Sequence, residues 1–174
     1  MESVVDTLTN KRIEEWYKEN TKPGFLDQVV KDNKSNGYVL DKDSGLLIKQ
    51  LHTPEELEEL GYTERDIIFP RPTDYHFHPD VDETLTLLSG KGFSFEGELY
   101  DLSKSPPTLV CFGGLVKKTV IPKEIKHMII PKKGTTLELH LECSGILDPE
   151  KEELVRHFDV AYPKVLNHYK GIIF

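Results

Sequence analysis

From Ile67 onward the chain is a succession of short apolar runs separated by turn formers. Ile67, Ile68 and Phe69 form one run, stopped by Pro70 and Pro72. Residues 84–88 alternate polar and apolar positions, Ser89-Gly90-Lys91-Gly92 turns the chain, and residues 93–96 alternate again. Residues 108–112 and 117–121 flank Gly113-Gly114. Residues 127–130 and 135–143 complete the set, the last alternating through Leu137, Leu139 and Leu141. A period of two places alternate side chains on one face of a strand. Many short strands at near-even spacing predict a sandwich or barrel.

The flanks have a different pattern. Residues 10–20 carry Ile13, Trp16 and Tyr17 at helical spacing, and Lys22-Pro23-Gly24 ends that helix. Residues 37–40 and 45–50 flank the polar turn Asp41-Lys42-Asp43-Ser44, which predicts a hairpin. Thr53-Pro54-Glu55-Glu56 has the form of a capping box with proline at the first helical position, so a short helix should run to about Gly61. At the other end, Asp148-Pro149 is a good helix start, predicting a helix to Phe158 and a second over residues 162–169.

Composition narrows the function classes. The 174 residues suffice for one domain with a sizeable core. The formal charge of −8 argues against a nucleic-acid partner, because an acidic surface repels phosphates. No apolar run reaches the ~20 residues of a spanning helix. The first residues lack the basic and apolar regions of a signal peptide, so the expected location is the cytoplasm, with no membrane partner. Cys111 and Cys143 lie in apolar strand-like stretches without a CxxC partner and read as buried free thiols.

The candidate chemistry is a metal site. His76 and His78 stand two apart on a predicted strand and so point the same way. Glu83 follows a polar connector and opens a strand whose apolar face it shares with Leu85 and Leu87. A buried carboxylate is costly unless it is paired or bound to a metal. His127 opens a later strand, placed to reach the same cavity. Three imidazoles and one carboxylate suit a divalent transition metal, and the carboxylate shifts the preference toward harder ions such as manganese and ferrous iron. His140 lies on the polar face of its strand and reads as solvent-facing. His157 and His168 fall in the terminal helices. Asp80 and Asp82 read as turn residues, and Glu96, beside a turn, is a candidate general base.

His76-x-His78, four residues, Glu83, six residues and Gly90 resemble the first motif of the cupin superfamily. Its second motif is Pro-x-Gly-x-x-His with a downstream asparagine. Here Pro122 and His127 match, Glu124 stands in place of the glycine, and Pro131 stands where the asparagine would be. Pro70 and Val116 occupy the places of the leading glycines. The resemblance covers roughly residues 65–145. It implies an all-β double-stranded β-helix, a jelly-roll barrel, commonly dimeric, with the metal in its mouth. The expected organisation is one cupin-like domain over 1–174, with a helix and hairpin extension (1–64), the barrel (65–145) and C-terminal helices (146–174). The appendages should pack outside the barrel.

Three functions fit such a site. Ferrous iron, the favoured metal, would serve a dioxygenase. Manganese, zinc or nickel would serve as a Lewis acid for a sugar or carbonyl isomerase. A barrel that binds a small ligand without turnover is the third. The expected lining is apolar: Leu85, Leu87, one face of Phe93–Phe95 and one face of residues 110–112. The nearby basic residues, Lys117, Lys118 and Arg71, have no assigned inward position, which favours the dioxygenase. The apolar tail and open strand edges predict a homodimer.

Overall fold

The structure, a computed structural model, describes residues 21–97 and 108–147, and the backbone of 153–154. Helix α1 (Phe25–Asn33) and a 3-10 turn (Lys34–Asn36) precede strands β1 (Val39–Leu40) and β2 (Leu47–Gln50). Helix α2 (Pro54–Leu60) leads into β3 (Thr63–Phe69). Then follow β4 (His76–Phe77), β5 (Glu83–Gly90), β6 (Gly92–Glu96), β7 (Thr108–Phe112), β8 (Lys118–Ile121), β9 (His127–Pro131), β10 (Leu137–Cys143) and β11 (Glu153–Leu154).

The strands form two antiparallel sheets, ordered β1-β2-β3-β10-β5-β8 and β11-β4-β9-β6-β7. The all-β core is as expected. The ladder does not close into a barrel, however: the two sheets are separate, each with open edges. β10 is central to the larger sheet, paired with β3 and β5 along its length. Its alternation puts Leu137, Leu139 and Leu141 inward, where they meet Ile67, Phe69, Leu85, Phe112 and Ile129. Fully burying one such side chain contributes roughly 1.5–3 kcal/mol.

The turn at residues 89–92 is a corner between sheets, since β5 and β6 have no common partner strand. Gly90 holds φ 88°, and a Cβ there would collide with the Thr136 carbonyl oxygen. Only glycine allows this left-handed turn so close to another backbone segment.

The capping box at Thr53 is present, with Glu56 N–H bonded to Thr53 Oγ1 and Thr53 N–H to Glu56. The expected hairpin is β1–β2. It lies in the sheet rather than outside it, because β2 pairs with β3 and extends the larger sheet. Helix α1 was not foreseen. It packs Val29 against Tyr38, Leu47 and Ile68 on the outer face of that sheet. Phe25, Leu26, Val29 and Val30 carry the helical spacing that would have revealed it.

The C-terminal helix expected through Phe158 is corrected at residues 153–154, which form β11 on the edge of β4. Pairing with an open strand edge outweighs local helical preference there. The helices expected over 10–20 and 162–169 lie outside the described residues, as do Trp16, Tyr17, His157, Phe158 and His168. Among the described residues no helix is long and apolar enough to cross a membrane.

Candidate metal centre

Strands β4, β5 and β9 bring the four residues together. His76 pairs directly with His127 across β4 and β9. Glu83 opens β5, opposite Cys143 on one side and Ile121 on the other. The ring centroids of His76 lie 4.8 Å from His78 and 4.3 Å from His127, and His78 and His127 are 5.5 Å apart. All four residues are buried. One donor nitrogen from each of the three histidines falls within 4.8 Å of the other two.

Hydrogen bonds set the histidine tautomers. His76 Nδ1 is 2.6 Å from the Asp74 carbonyl oxygen, and His127 Nδ1 is 2.8 Å from that of Ile125. A carbonyl only accepts, so both Nδ1 atoms carry the proton, and both Nε2 atoms turn toward the cluster. Such outer hydrogen bonds orient imidazole ligands around metals. Glu83 Oε1 lies 2.9 Å from His78 Nε2, and Oε2 lies 3.2 Å from His127 Nε2.

The electrostatics call for a cation at this point. With Nδ1 protonated, His127 Nε2 presents a lone pair to a carboxylate oxygen. That contact is repulsive unless a proton or a metal ion lies in it. Burial, and then the His127 charge, push the His76 pKa down to about 3, so this ring is neutral and free to donate a lone pair. Burial raises the Glu83 pKa, but hydrogen bonds from His127 and His78 outweigh it and hold the carboxyl below its usual range. Burial lowers the His127 pKa, and the Glu83 carboxylate overcomes it and raises it. The donor set, three imidazoles and an ionised carboxylate, fits a divalent transition metal.

The broken second motif keeps its geometry. Glu124, in the glycine's place, is the one non-glycine with positive φ among the described residues, at 68°. Ile125 N–H bonds to the Pro122 carbonyl, closing a turn, and Glu124 N–H bonds to the His78 carbonyl at 2.9 Å. Asp82 is the turn residue expected: its carboxylate accepts from Lys123 N–H at 2.7 Å, tying the β4–β5 loop to the turn before His127.

A cavity of about 220 Å³ opens beside His76, His78, Glu83 and His127. Leu85 lines it, as expected, with Ile67, Phe69, Ile129 and Leu141. Phe93 and Phe95 do not face it: they pair with Ile130 and Met128, on the opposite face of β9 from His127. Arg65 and Arg71 do line it, which corrects the expectation of no inward basic group. Arg65 was missed because β3 reads as a strand only from Ile67. Extending the alternation back from Ile67 and Phe69 finds it on the cavity face. Asp43, Ser44 and Leu46, from the β1–β2 hairpin, also line the cavity.

Glu96 lies opposite His127 on β6, and burial raises its pKa. It approaches Thr119 Oγ1 at 3.5 Å and is not among the cavity-lining residues. Lys117 and Lys118 are exposed. His140 is on the outer face of β10, bonded to Asp66 at 2.7 Å. Cys143 is buried and its thiol pKa is pushed up to about 12, chiefly by burial, so it is inert, while Cys111 is only half-buried.

No protein-family model matches the sequence, and no curated protein matches it either. Solved structures do. A protein from Shewanella oneidensis, 10% identical, aligns over 83% of this chain and 93% of its own, with a TM-score of 0.60. A hypothetical protein from Leishmania major is 12% identical over 81% of this chain and 93% of its own, with a TM-score of 0.53. A cupin-2 domain from Rhodospirillum rubrum is 12% identical over 80% of this chain and 82% of its own, with a TM-score of 0.53. Likeness at such identities speaks for the fold alone. The chain has the fold of the cupin superfamily, the one its first motif resembles.

Proposed function

We propose that this protein is a metal-dependent enzyme acting on a small organic substrate, with His76, His78, Glu83 and His127 as ligands. The observation that carries this reading is the convergence of three buried imidazoles, two of them against the Glu83 carboxylate, in the wall of a cavity. When bound, a divalent metal would supply Lewis-acid chemistry and, as ferrous iron, access to dioxygen. The chain's own residues orient the imidazoles through the Asp74 and Ile125 carbonyls, and exclude water with Ile67, Phe69, Leu85 and Leu141. Glu96 is set back from the cavity.

The first reading is a dioxygenase. Both atoms of dioxygen enter the substrate, so no external reductant is needed, and the apolar wall supports it. The second is a carbonyl isomerase, favoured by the two arginines on the cavity wall. The test is turnover of candidate chelating substrates by the iron-loaded protein, in air and under argon. Dependence on air supports the dioxygenase. Equal activity under argon supports the isomerase. Ligand binding without turnover by any metal form would make this a binding protein. The homodimer belongs to the same proposal. It is supported by exposed Leu88, Leu115, Val116 and Val120 around the edge strand β8.

A further inference from the structure

We propose that the arginine side of the cavity, Arg65 and Arg71, binds the carboxylate of a small monoanionic organic acid, whose other donor atoms face the histidine–glutamate cluster. The inference rests on the metal-centre reading and names its substrate class.

Two placements carry it. Arg65 pairs with Leu141 across β3 and β10 and shares the inward face with Ile67 and Phe69. It is close enough to Cys143, itself paired with Glu83, for its charge to act on that thiol. Arg71 follows the end of β3, and its stem runs over the β1–β2 turn. A Cβ on Gly45 would lie 2.6 Å from Arg71 Cδ, so the glycine at φ 73° is what lets the stem lie there. The hairpin thus helps to set the position of a guanidinium on the cavity wall.

Shape and charge give the substrate class. A guanidinium presents a planar fork that matches a carboxylate. The same cavity wall carries apolar side chains, Ile67, Phe69 and Leu85, suited to a short carbon skeleton. The cavity, about 220 Å³, is smaller than the roughly 300–1,000 Å³ of drug-sized sites. Asp43 and Asp74 on the wall balance the two guanidinium charges. A divalent ion held by neutral imidazoles and Glu83 leaves one positive charge over. A monoanion matches that excess, and a phosphate dianion exceeds it.

The test is calorimetric titration of the zinc-loaded protein, which cannot turn over with dioxygen. The probes are glycolate, lactate and pyruvate, with lactamide and inorganic phosphate as comparisons. At least one acid should bind, and lactate should bind about tenfold or more tightly than lactamide. Arg65→Met and Arg71→Met should each weaken lactate binding roughly ten- to hundred-fold, the range of a charge-assisted hydrogen bond, and leave lactamide and zinc content unchanged. Arg65→Lys and Arg71→Lys, which keep the charge without the fork, should fall between and serve if a methionine variant fails to fold. Lactate affinity equal in wild type and all arginine variants overturns the inference. So does phosphate binding more tightly than every acid, or no acid binding at all. A wild-type protein that takes up no zinc overturns the metal-centre reading instead. The arginine dependence of acid binding, measured on that same protein, still decides this one.

Discussion

At the residue scale, the Glu83 carboxylate is held between the His78 and His127 imidazoles, and the His127 ring is fixed through Nδ1 by the Ile125 carbonyl. Replacing His76 with Ala removes an inward lone pair and opens a gap beside His127. Stoichiometric metal, measured by elemental analysis, should be lost. Glu83→Gln keeps the shape and loses the charge, so metal should bind more weakly but still measurably. Full occupancy in His76→Ala would refute the ligand assignment. Glu124 offers a separate test. A left-handed non-glycine residue costs about 1–2 kcal/mol, against about 0.4–1 kcal/mol lost to a more flexible unfolded chain on mutation to glycine. Glu124→Gly should therefore raise unfolding stability, by up to about 1.6 kcal/mol, in a urea titration, with metal content unchanged.

At the element scale, corners and cross-strand pairs hold the sheets in register. Gly90→Ala would combine a left-handed backbone with a collision at Thr136, and should cost at least about 2 kcal/mol of stability. A smaller loss in urea unfolding would mean that the corner relaxes. On the outer face of β3 and β10, His140 sits 2.7 Å from Asp66 and 3.2 Å from Glu64, and Glu64 lies 2.9 Å from His52. Burial alone would lower the His140 pKa, but the bond to Asp66 raises it. A raised folded-state pKa stabilises fully below the unfolded value, and that stabilisation is lost as pH rises through the folded value. The hydrogen bond from His52 lowers the Glu64 pKa, so its contribution is present above the unfolded pKa and disappears as pH falls through the folded one. The melting temperature should fall as pH rises above the unfolded histidine value, and His140→Gln should flatten that fall. An unchanged slope in the variant would exclude the cluster as its source.

At the scale of the whole molecule, one cavity joins three parts of the chain: the β1–β2 hairpin, the β3 row and the β4, β5 and β9 strands. The smaller sheet ends at β7 and β11 and the larger at β1 and β8, so unpaired edges remain among the described residues. Leu88, Val116 and Val120 near β8, with the fully exposed Leu115, give one edge an apolar rim. Light scattering should give about twice the 20.0 kDa of one chain, and Val120→Glu should lower that value. A mass of one chain at micromolar concentration would remove the homodimer.

Local pattern determined a good deal of this. Alternation in residues 135–143 located β10, because one face of it packs in the core and the other meets water. The capping box located α2, since its hydrogen bonds span only three residues. The spacing of His76, His78, Glu83 and Gly90 located most of the candidate centre, because two of its strands are nearly consecutive. Tertiary structure decided the rest. Residues 153–154 are a strand because β4 offers an edge, which no local signal encodes. Glu124 keeps a glycine-like turn because hydrogen bonds to the His78 and Pro122 carbonyls hold it there. Arg65 and Arg71 share a cavity wall with the histidine cluster only after β3 pairs with β10 and the β1–β2 hairpin comes to line the same cavity. Spacing along a strand sets which way a side chain points, but pairing between distant segments sets what it points at.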